Sequence, residues 1–244
     1  LQFWETFPYL EMTGDPDYRN NDFLYQRNPF SKGSTHYQVY KMLYDIVDQG
    51  LCEADPRSDD WETSKGMLNS GEIGCMAIGS WALKQFKDAG RHGDNVVFMP
   101  FPNEVDGKQY MTISTDYCYA ISKDCENKEA ARKYIDFMLD ESGYALNQET
   151  LSMVKTDPYS EAYGDMNNVV LSSNSAANSQ NYKRLESLQK NLNFNDNKQA
   201  ARVIEAAAGY SDETFDQIIE DWNKRWESGR PADMEEEMKE DEQS

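Results

Sequence analysis

The sequence has little histidine and cysteine, no excess of positive charge and no long hydrophobic run. Only two of its 244 residues are histidines and four are cysteines. The 44 acidic side chains outnumber the 24 basic ones and give a formal charge of −20, which argues against a nucleic-acid backbone or an anionic membrane surface as partner. No apolar run approaches the roughly 20 residues that a membrane-spanning helix needs, so the integral membrane class is excluded.

The beginning of the chain also lacks the features of a signal sequence. Leu1 to Trp4 contain no initiator Met, no basic region and no start of an apolar segment. A mature secreted protein begins in this way, and so does an internal fragment. Both interpretations stay open on the sequence alone.

Catalytic motifs are scarce. Neither His36 nor His92 has a nucleophile and an acid patterned near it, and a serine or cysteine hydrolase needs a base beside its nucleophile. The patterns Gly-x-Ser-x-Gly, His-Glu-x-x-His and Gly-x-x-x-x-Gly-Lys do not occur. The many acids make some pair of carboxylates inevitable, so a glycoside hydrolase stays as an alternative. We predict no catalytic residue.

The cysteines show neither metal-ligand nor disulfide spacing. Cys52, Cys75, Cys118 and Cys125 include no Cys-x-x-Cys pair and are too sparse for a disulfide-stapled domain. Cys75 and Cys118 lie in apolar, strand-like runs, where a free thiol behaves as a small hydrophobic side chain. We therefore predict four free thiols, no metal and no cofactor.

Helical and strand patterns alternate along the chain. Ser34 and Asn127 are residue types that cap helices, and each precedes apolar residues at three- and four-residue spacing. Helices separated by short apolar strands are typical of the α/β class rather than of a sandwich or a bundle. The predicted helices cover about residues 35–49, 59–68, 81–88, 128–140, 143–148, 181–191, 197–208 and 212–227, and the predicted strands cover 73–78, 95–99 and 110–121.

The C-terminal segment is predicted to be a disordered acidic tail. Residues 233–244 carry seven acids and one lysine, a net charge of −6. Blocks of like charge repel one another and are typical of disordered tails.

Aromatic side chains make up 12% of the sequence. Trp4, Trp61 and Trp81 lie in predicted turns or at the ends of elements, where a buried core residue is less expected. The C–H face of a sugar ring packs on an aromatic plane, while its hydroxyls bind acids, amides and arginines. The alternative is that each tryptophan fills a gap in the core. We make that assignment for Trp222 and Trp226, which share one helical face.

Three passages and the last predicted helix resemble one family. Residues 69–82 read NSGEIGCMAIGSWA, residues 95–102 read NVVFMPFP, and residues 119–131 read YAISKDCENKEAA. Their order and spacing resemble the extracellular solute-binding proteins of bacterial ABC importers, in the sugar-binding group that includes maltose-binding protein. In that group the first passage forms a helix end, a strand and a turn that presents a tryptophan to the cleft.

The resemblance implies an α/β fold of the periplasmic-binding-protein type II. The chain would form mainly the C-terminal lobe, in two parts at residues 1–98 and 149–232. Residues 99–148 would belong to the N-terminal lobe, ahead of the acidic tail at 233–244. Most of the N-terminal lobe and a lipoprotein signal would be absent from this sequence.

The resemblance also implies a set of ligand-binding residues. Trp81 is expected to form a stacking platform for a sugar ring, and Trp4 to present an aromatic ring to the cleft. Asp116 is expected to offer a polar group at a strand end. Tyr117 and Trp61 are weaker candidates, for which a structural role is the alternative.

The implied function is the substrate-binding component of an ABC transporter. Two lobes would close on a sugar or oligosaccharide and hand it unchanged to a membrane permease. The implied location is extracellular, at the cell surface through a lipid anchor, or periplasmic. The alternatives are a carbohydrate-active hydrolase, or a protein that binds peptides or other solutes on the same scaffold.

Overall fold

The computed structural model describes residues 7–58, 60–115, 118–192 and 196–241. They form two compact units: a large unit, from the described residues of 1–59, 103–112 and 170–244, and a small unit, from those of 60–102 and 113–169. These boundaries differ from the predicted ones, because residues 60–98 cluster with 113–169 and not with the preceding segment. The assignment of either unit to a lobe stays a prediction. Among the described residues, no helix has both the length and the apolar character that crossing a bilayer requires.

Helices make up most of the regular structure, and two of them begin at the predicted caps Ser34 and Asn127. The side chains of Ser34, Asn127 and Thr214 each accept the backbone N–H three residues further on, and Thr214 is part of a reciprocal capping box. The predicted helices at about residues 35–49, 128–140 and 212–227 are confirmed. The α-helices are α1 (Tyr9–Thr13), α2 (Thr35–Asp48), α3 (Trp61–Ser70), α4 (Leu83–Asp88), α5 (Lys128–Asp140), α6 (Tyr144–Asn147), α7 (Ser179–Leu192), α8 (Asp196–Ala207), α9 (Phe215–Gly229) and α10 (Ala232–Asp241).

The core of the large unit includes one face of α9 packed against α2. Trp222 and Trp226 are 3% and 0% exposed, so their predicted place in the core is confirmed. The ring of Trp222 lies 4.8 Å from that of Tyr40 on α2. The indole N–H of Trp226 donates to the carbonyl of Gln26 at 2.9 Å, which satisfies its polar atom inside the core.

A histidine lies inside this aromatic core. The ring of His36 stacks on Phe23 at 3.7 Å and on Tyr9 at 4.2 Å. The hydroxyl of Tyr18 lies 2.7 Å from Nδ1 of His36. Burial, with the charge of Arg19 as a second cause, holds the pKa of His36 well below its usual range. Burial also raises the pKa of Tyr18 to about 12, so both groups are neutral at pH 7.

The C-terminal acidic segment is helical over α10, and the predicted disorder is wrong for these residues. Met234 and Met238, four residues apart, are 0% and 7% exposed and belong to the core. Oδ2 of Asp233 lies 2.8 Å from Nη2 of the buried Arg184. The net charge alone does not reveal the two methionines that share one helical face, or the arginines that neutralise the acidic side chains.

Within the described residues, regular strands are fewer than the sequence predicts. Strand β1 (Gln109–Thr112) pairs with β2 (Val169–Ser172). The predicted strand 110–121 is regular only at its beginning, and its residues 116 and 117 lie outside the described part of the chain. The predicted strand 73–78 has no regular structure, and neither has 95–99 beyond a 3₁₀ turn that ends at residue 95. A strand needs a hydrogen-bonded neighbour, which an apolar run cannot supply by itself.

The small unit keeps an apolar helical stripe exposed. None of the residues of α5 is buried. Tyr134, Phe137 and Leu139 are 60%, 48% and 39% exposed. Ile135 and Met138 of the same stripe are half-buried. The helix is amphipathic as predicted, but its apolar side does not enter a core of the described residues.

Candidate functional site

Trp81 lies in a turn that leads into α4 of the small unit. A 3₁₀ turn, Ser80–Ala82, directly precedes the helix. A Cβ atom placed on Gly79 would approach Cδ1 and Nε1 of the indole to 2.6 Å. The indole therefore occupies the space that a side chain at residue 79 would take. The side chain remains 38% exposed, so part of the indole faces solvent.

A second tryptophan lies beside the first. Trp61 is the first residue of α3, and the carboxylate of Asp60 caps this helix by accepting the N–H of Thr63 at 3.0 Å. The ring centroids of Trp61 and Trp81 are 5.6 Å apart, with 41° between the planes. The edge-to-face contact of Trp61 with Phe86, at 5.5 Å, completes an aromatic cluster. We call Trp61, Trp81 and Phe86 the aromatic platform.

A buried asparagine fixes the two helices that carry the platform. Asn69, near the end of α3, donates from Nδ2 to the carbonyls of Phe86 and Lys87 on α4, at 2.9 and 3.2 Å. Its Oδ1 accepts the backbone N–H of His92 at 3.1 Å. Because these bonds join the end of α3 to carbonyls in the last turn of α4, they hold the two helices in one arrangement and so fix Trp61 relative to Trp81.

Polar groups adjoin Trp81 on its N-terminal side. The side chain of Ser80 does not cap α4 and lies near the hydroxyl of Tyr163. Tyr163 is buried, and its ring lies 5.1 Å from that of Phe98. Burial raises the pKa of Tyr163, so its hydroxyl keeps its proton at neutral pH. An exposed indole beside fixed hydroxyls suits a ligand with one apolar face and a polar rim.

The structure brings together two of the five sequence-predicted site residues. Trp81 and Trp61 are in contact. Trp4, Asp116 and Tyr117 lie outside the described residues, so their roles stay predictions. Sequence reasoning missed Tyr163, which lies far along the chain and shares no local pattern with Trp81.

A lysine side chain lies beside the aromatic platform, and the described residues include no candidate metal site. The ammonium of Lys65 lies 5.2 Å from the ring centroid of Trp61, one helical turn away on α3. Trp61 and Lys65 are four residues apart, the spacing that places two side chains on one face of a helix, so this contact could be predicted from the sequence. In the part of the chain that the structure describes, no group of three or more His, Cys, Asp or Glu residues could hold a metal ion.

Comparison with known proteins identifies relatives. The family described as bacterial extracellular solute-binding protein matches residues 6–145. The solved structure of BlMnBP1, a binding protein of an ABC transporter from Bifidobacterium animalis subsp. lactis, in complex with mannobiose, is 34% identical, with a TM-score of 0.80 over 93% of this chain and 56% of that one. BlMnBP2, a manno-oligosaccharide-specific solute-binding protein of the same organism, in complex with mannotriose, is 34% identical, with a TM-score of 0.79 and the same coverage.

These similarities confirm the predicted α/β solute-binding fold. The chain spans 56% of the length of either solved structure. No curated protein sequence matches the chain.

Proposed function

The chain belongs to the bacterial extracellular solute-binding proteins, and we propose that it is part of the sugar-capturing component of an ABC importer. The two structural relatives named above were solved with mannobiose and with mannotriose. We extend their ligand class to this chain and propose a manno-oligosaccharide as its ligand. The partner in this proposal is the membrane permease of the importer. The location is the cell surface or the periplasm, with a lipid anchor as the means of attachment.

The observation that carries the proposal is the exposed indole of Trp81. A tryptophan that served only the core would be enclosed, as Trp226 is at 0% exposure. The indole of Trp81 instead packs against Trp61 and Gly79, while part of its ring is exposed to solvent. Such a fixed ring offers a sugar face a surface that loses little conformational entropy on binding.

The proposed activity is binding without chemical change. The family and the relatives named above are binding proteins. A hydrolase would need an acid and a second carboxylate on either side of a glycosidic bond. Incubating the protein with mannotriose and separating the products by chromatography distinguishes the two functions, because an importer component returns the trisaccharide intact and a hydrolase releases shorter sugars.

Calorimetric titration of the chain with mannobiose and mannotriose tests the proposal. We expect saturable binding with one ligand per chain. Trp81→Ala should weaken it by roughly thirtyfold, since truncating an aromatic anchor in a binding site costs about 2 kcal/mol. Tyr134→Ala, which removes an exposed ring of α5 in the same unit, is the matched control and should bind as the parent does.

Two outcomes would contradict the proposal. One is the absence of binding by the parent chain to either sugar or to a wider panel of oligosaccharides. The other is normal binding by Trp81→Ala together with a melting temperature far below that of the parent, which would make Trp81 a structural residue.

A further inference from the structure

A charged pair joins α4 to the loop that follows α6. The ammonium of Lys87 lies 2.8 and 2.7 Å from the two carboxylate oxygens of Glu149, which is 62 residues away in the sequence. Both side chains are about one quarter exposed, at 23% and 25%. The pair is thus partly shielded from water and still accessible to a ligand.

The backbone at Glu149 is held in an uncommon conformation. Its φ is 55°, in the left-handed region that residues with a side chain adopt at a cost. The hydroxyl of Tyr163 donates to the carbonyl of Glu149 at 3.2 Å, and the hydroxyl of Ser160 lies 3.5 Å from its Oε2. Such strain persists only where the surroundings fix it, and it is concentrated at functional sites.

One hydroxyl connects this pair to the aromatic platform. The Tyr163 hydroxyl that donates to the carbonyl of Glu149 also lies near the side chain of Ser80. Ser80 is the residue directly before Trp81. Glu149 and the turn that carries Trp81 are therefore both neighbours of the same buried tyrosine.

A second pair on α4 shows what an ordinary surface ion pair looks like here. Lys84 and Asp88 are four residues apart on one helix, with side chains 36% and 63% exposed. Helical spacing alone accounts for their contact. Neither helical spacing nor chain proximity accounts for the contact of Lys87 with Glu149.

We propose that Lys87 and Glu149 form the polar side of the sugar site whose apolar side is Trp81, an inference that rests on the proposed function. The carboxylate has four acceptor positions and the ammonium three N–H groups, more than the pair uses on itself. Glu149 accepts from sugar hydroxyls and Lys87 donates to a sugar oxygen. The two charges cancel, which suits a neutral oligosaccharide and disfavours an anionic ligand.

Titration of the chain with mannotriose tests this assignment through two variants. Glu149→Gln and Lys87→Met should each weaken binding by tenfold or more, which corresponds to about 1.4 kcal/mol. The matched controls, Glu129→Gln and Lys133→Met, remove the same charges from an exposed ion pair of α5 and should bind as the parent does. Tryptophan emission should stay at the parent's value, because the platform is unchanged.

The outcomes separate this inference from the proposed function. Binding by the parent and equal binding by both variants would overturn the inference and leave the proposed function standing. Weaker binding accompanied by a shifted tryptophan emission would assign the pair a structural role and overturn it as well. If Glu149→Gln does not fold, Lys87→Met decides by the same criteria. No binding by the parent would refute the proposed function and the inference together.

Discussion

The two units use similar amphipathic helices in opposite ways. In the large unit, α9 buries its apolar face completely, and Trp226 is 0% exposed. In the small unit, α5 carries a comparable stripe with no buried residue, and Trp81 is 38% exposed. The difference is not in the helices but in their partners, because α2 offers α9 a complementary aromatic surface. We infer that stability resides mainly in the large unit, while the proposed function assigns ligand recognition to the small one.

The sharpest test of this contrast is a pair of tryptophan truncations. Trp226→Ala should lower the free energy of unfolding of the large unit by about 3–5 kcal/mol, the usual cost of removing an enclosed aromatic side chain. Trp81→Ala should lower the stability of the small unit by less than Trp226→Ala lowers that of the large one, because part of the Trp81 ring is already hydrated. Urea denaturation followed by circular dichroism measures both. Equal losses from the two truncations would break the comparison.

A second test uses the histidine enclosed in the large unit. The pKa of His36 is lower in the folded state than in the unfolded chain, since burial penalises its charged form. The unfolded state therefore binds more protons as the pH falls below about 6.5, and stability declines with it, by up to about 1.4 kcal/mol for each pH unit. Among the described residues, the titratable and charged groups beside the ring include Tyr9, Tyr18 and the cation of Arg19.

Denaturation between pH 7.5 and 5.5 measures this effect, above the range in which ordinary carboxylates titrate. His36→Phe should flatten the dependence of stability on pH, whatever its effect on stability itself. His92→Gln, which changes the other histidine, is the control and should keep the slope of the parent. A parent whose stability does not change over this range would show that protonated His36 is tolerated in the core.

A third test compares the two helices directly. Amide hydrogens of α9 should exchange at least about tenfold more slowly than those of α5. A helix of 13 residues without a packed face is only marginally stable in water, whereas one with a buried face opens mainly through global unfolding. Hydrogen exchange read by mass spectrometry distinguishes them. Similar protection of both would show that α5 is covered in solution, for example by association of chains through its apolar stripe.

The structural features that the sequence could predict are those that depend on interactions between residues close together in the chain. The caps at Ser34, Asn127 and Thr214 act within one helical turn, so the helices they start were predictable. Strands depend on partners elsewhere in the chain, and the run at 73–78 forms no ladder among the described residues. The charge of the acidic tail predicts disorder, whereas in the structure the segment is helical and forms an ion pair with Arg184, which is distant in sequence.

The candidate site likewise combines a residue that a local pattern predicts with contacts that depend on distant parts of the chain. Trp81 was predictable from a local passage that resembles a known family. Its contact with Trp61 depends on how α3 and α4 are joined through Asn69, which no local pattern encodes. The positive φ of Glu149 arises at a residue type with no preference for it, so the sequence gives no signal of that feature.

The smallest expected effect concerns the thiols. All four cysteines are unpaired in the structure, and Cys75 and Cys118 of the small unit are exposed. Cys52 of the large unit is half-buried, and burial together with the charge of Glu53 raises the pKa of its thiol. Because the thiolate is the reactive form, we expect Cys52 to alkylate more slowly than Cys75 and Cys118 in the folded protein at pH 7.5. Mass spectrometry of peptides during a timed iodoacetamide reaction ranks these rates.

In denaturant without reductant all four cysteines should react fully, and a thiol that reacts only after reduction would reveal a disulfide. A Cys52 that reacts as fast as Cys75 would mean that this edge of the large unit is as open as the small unit.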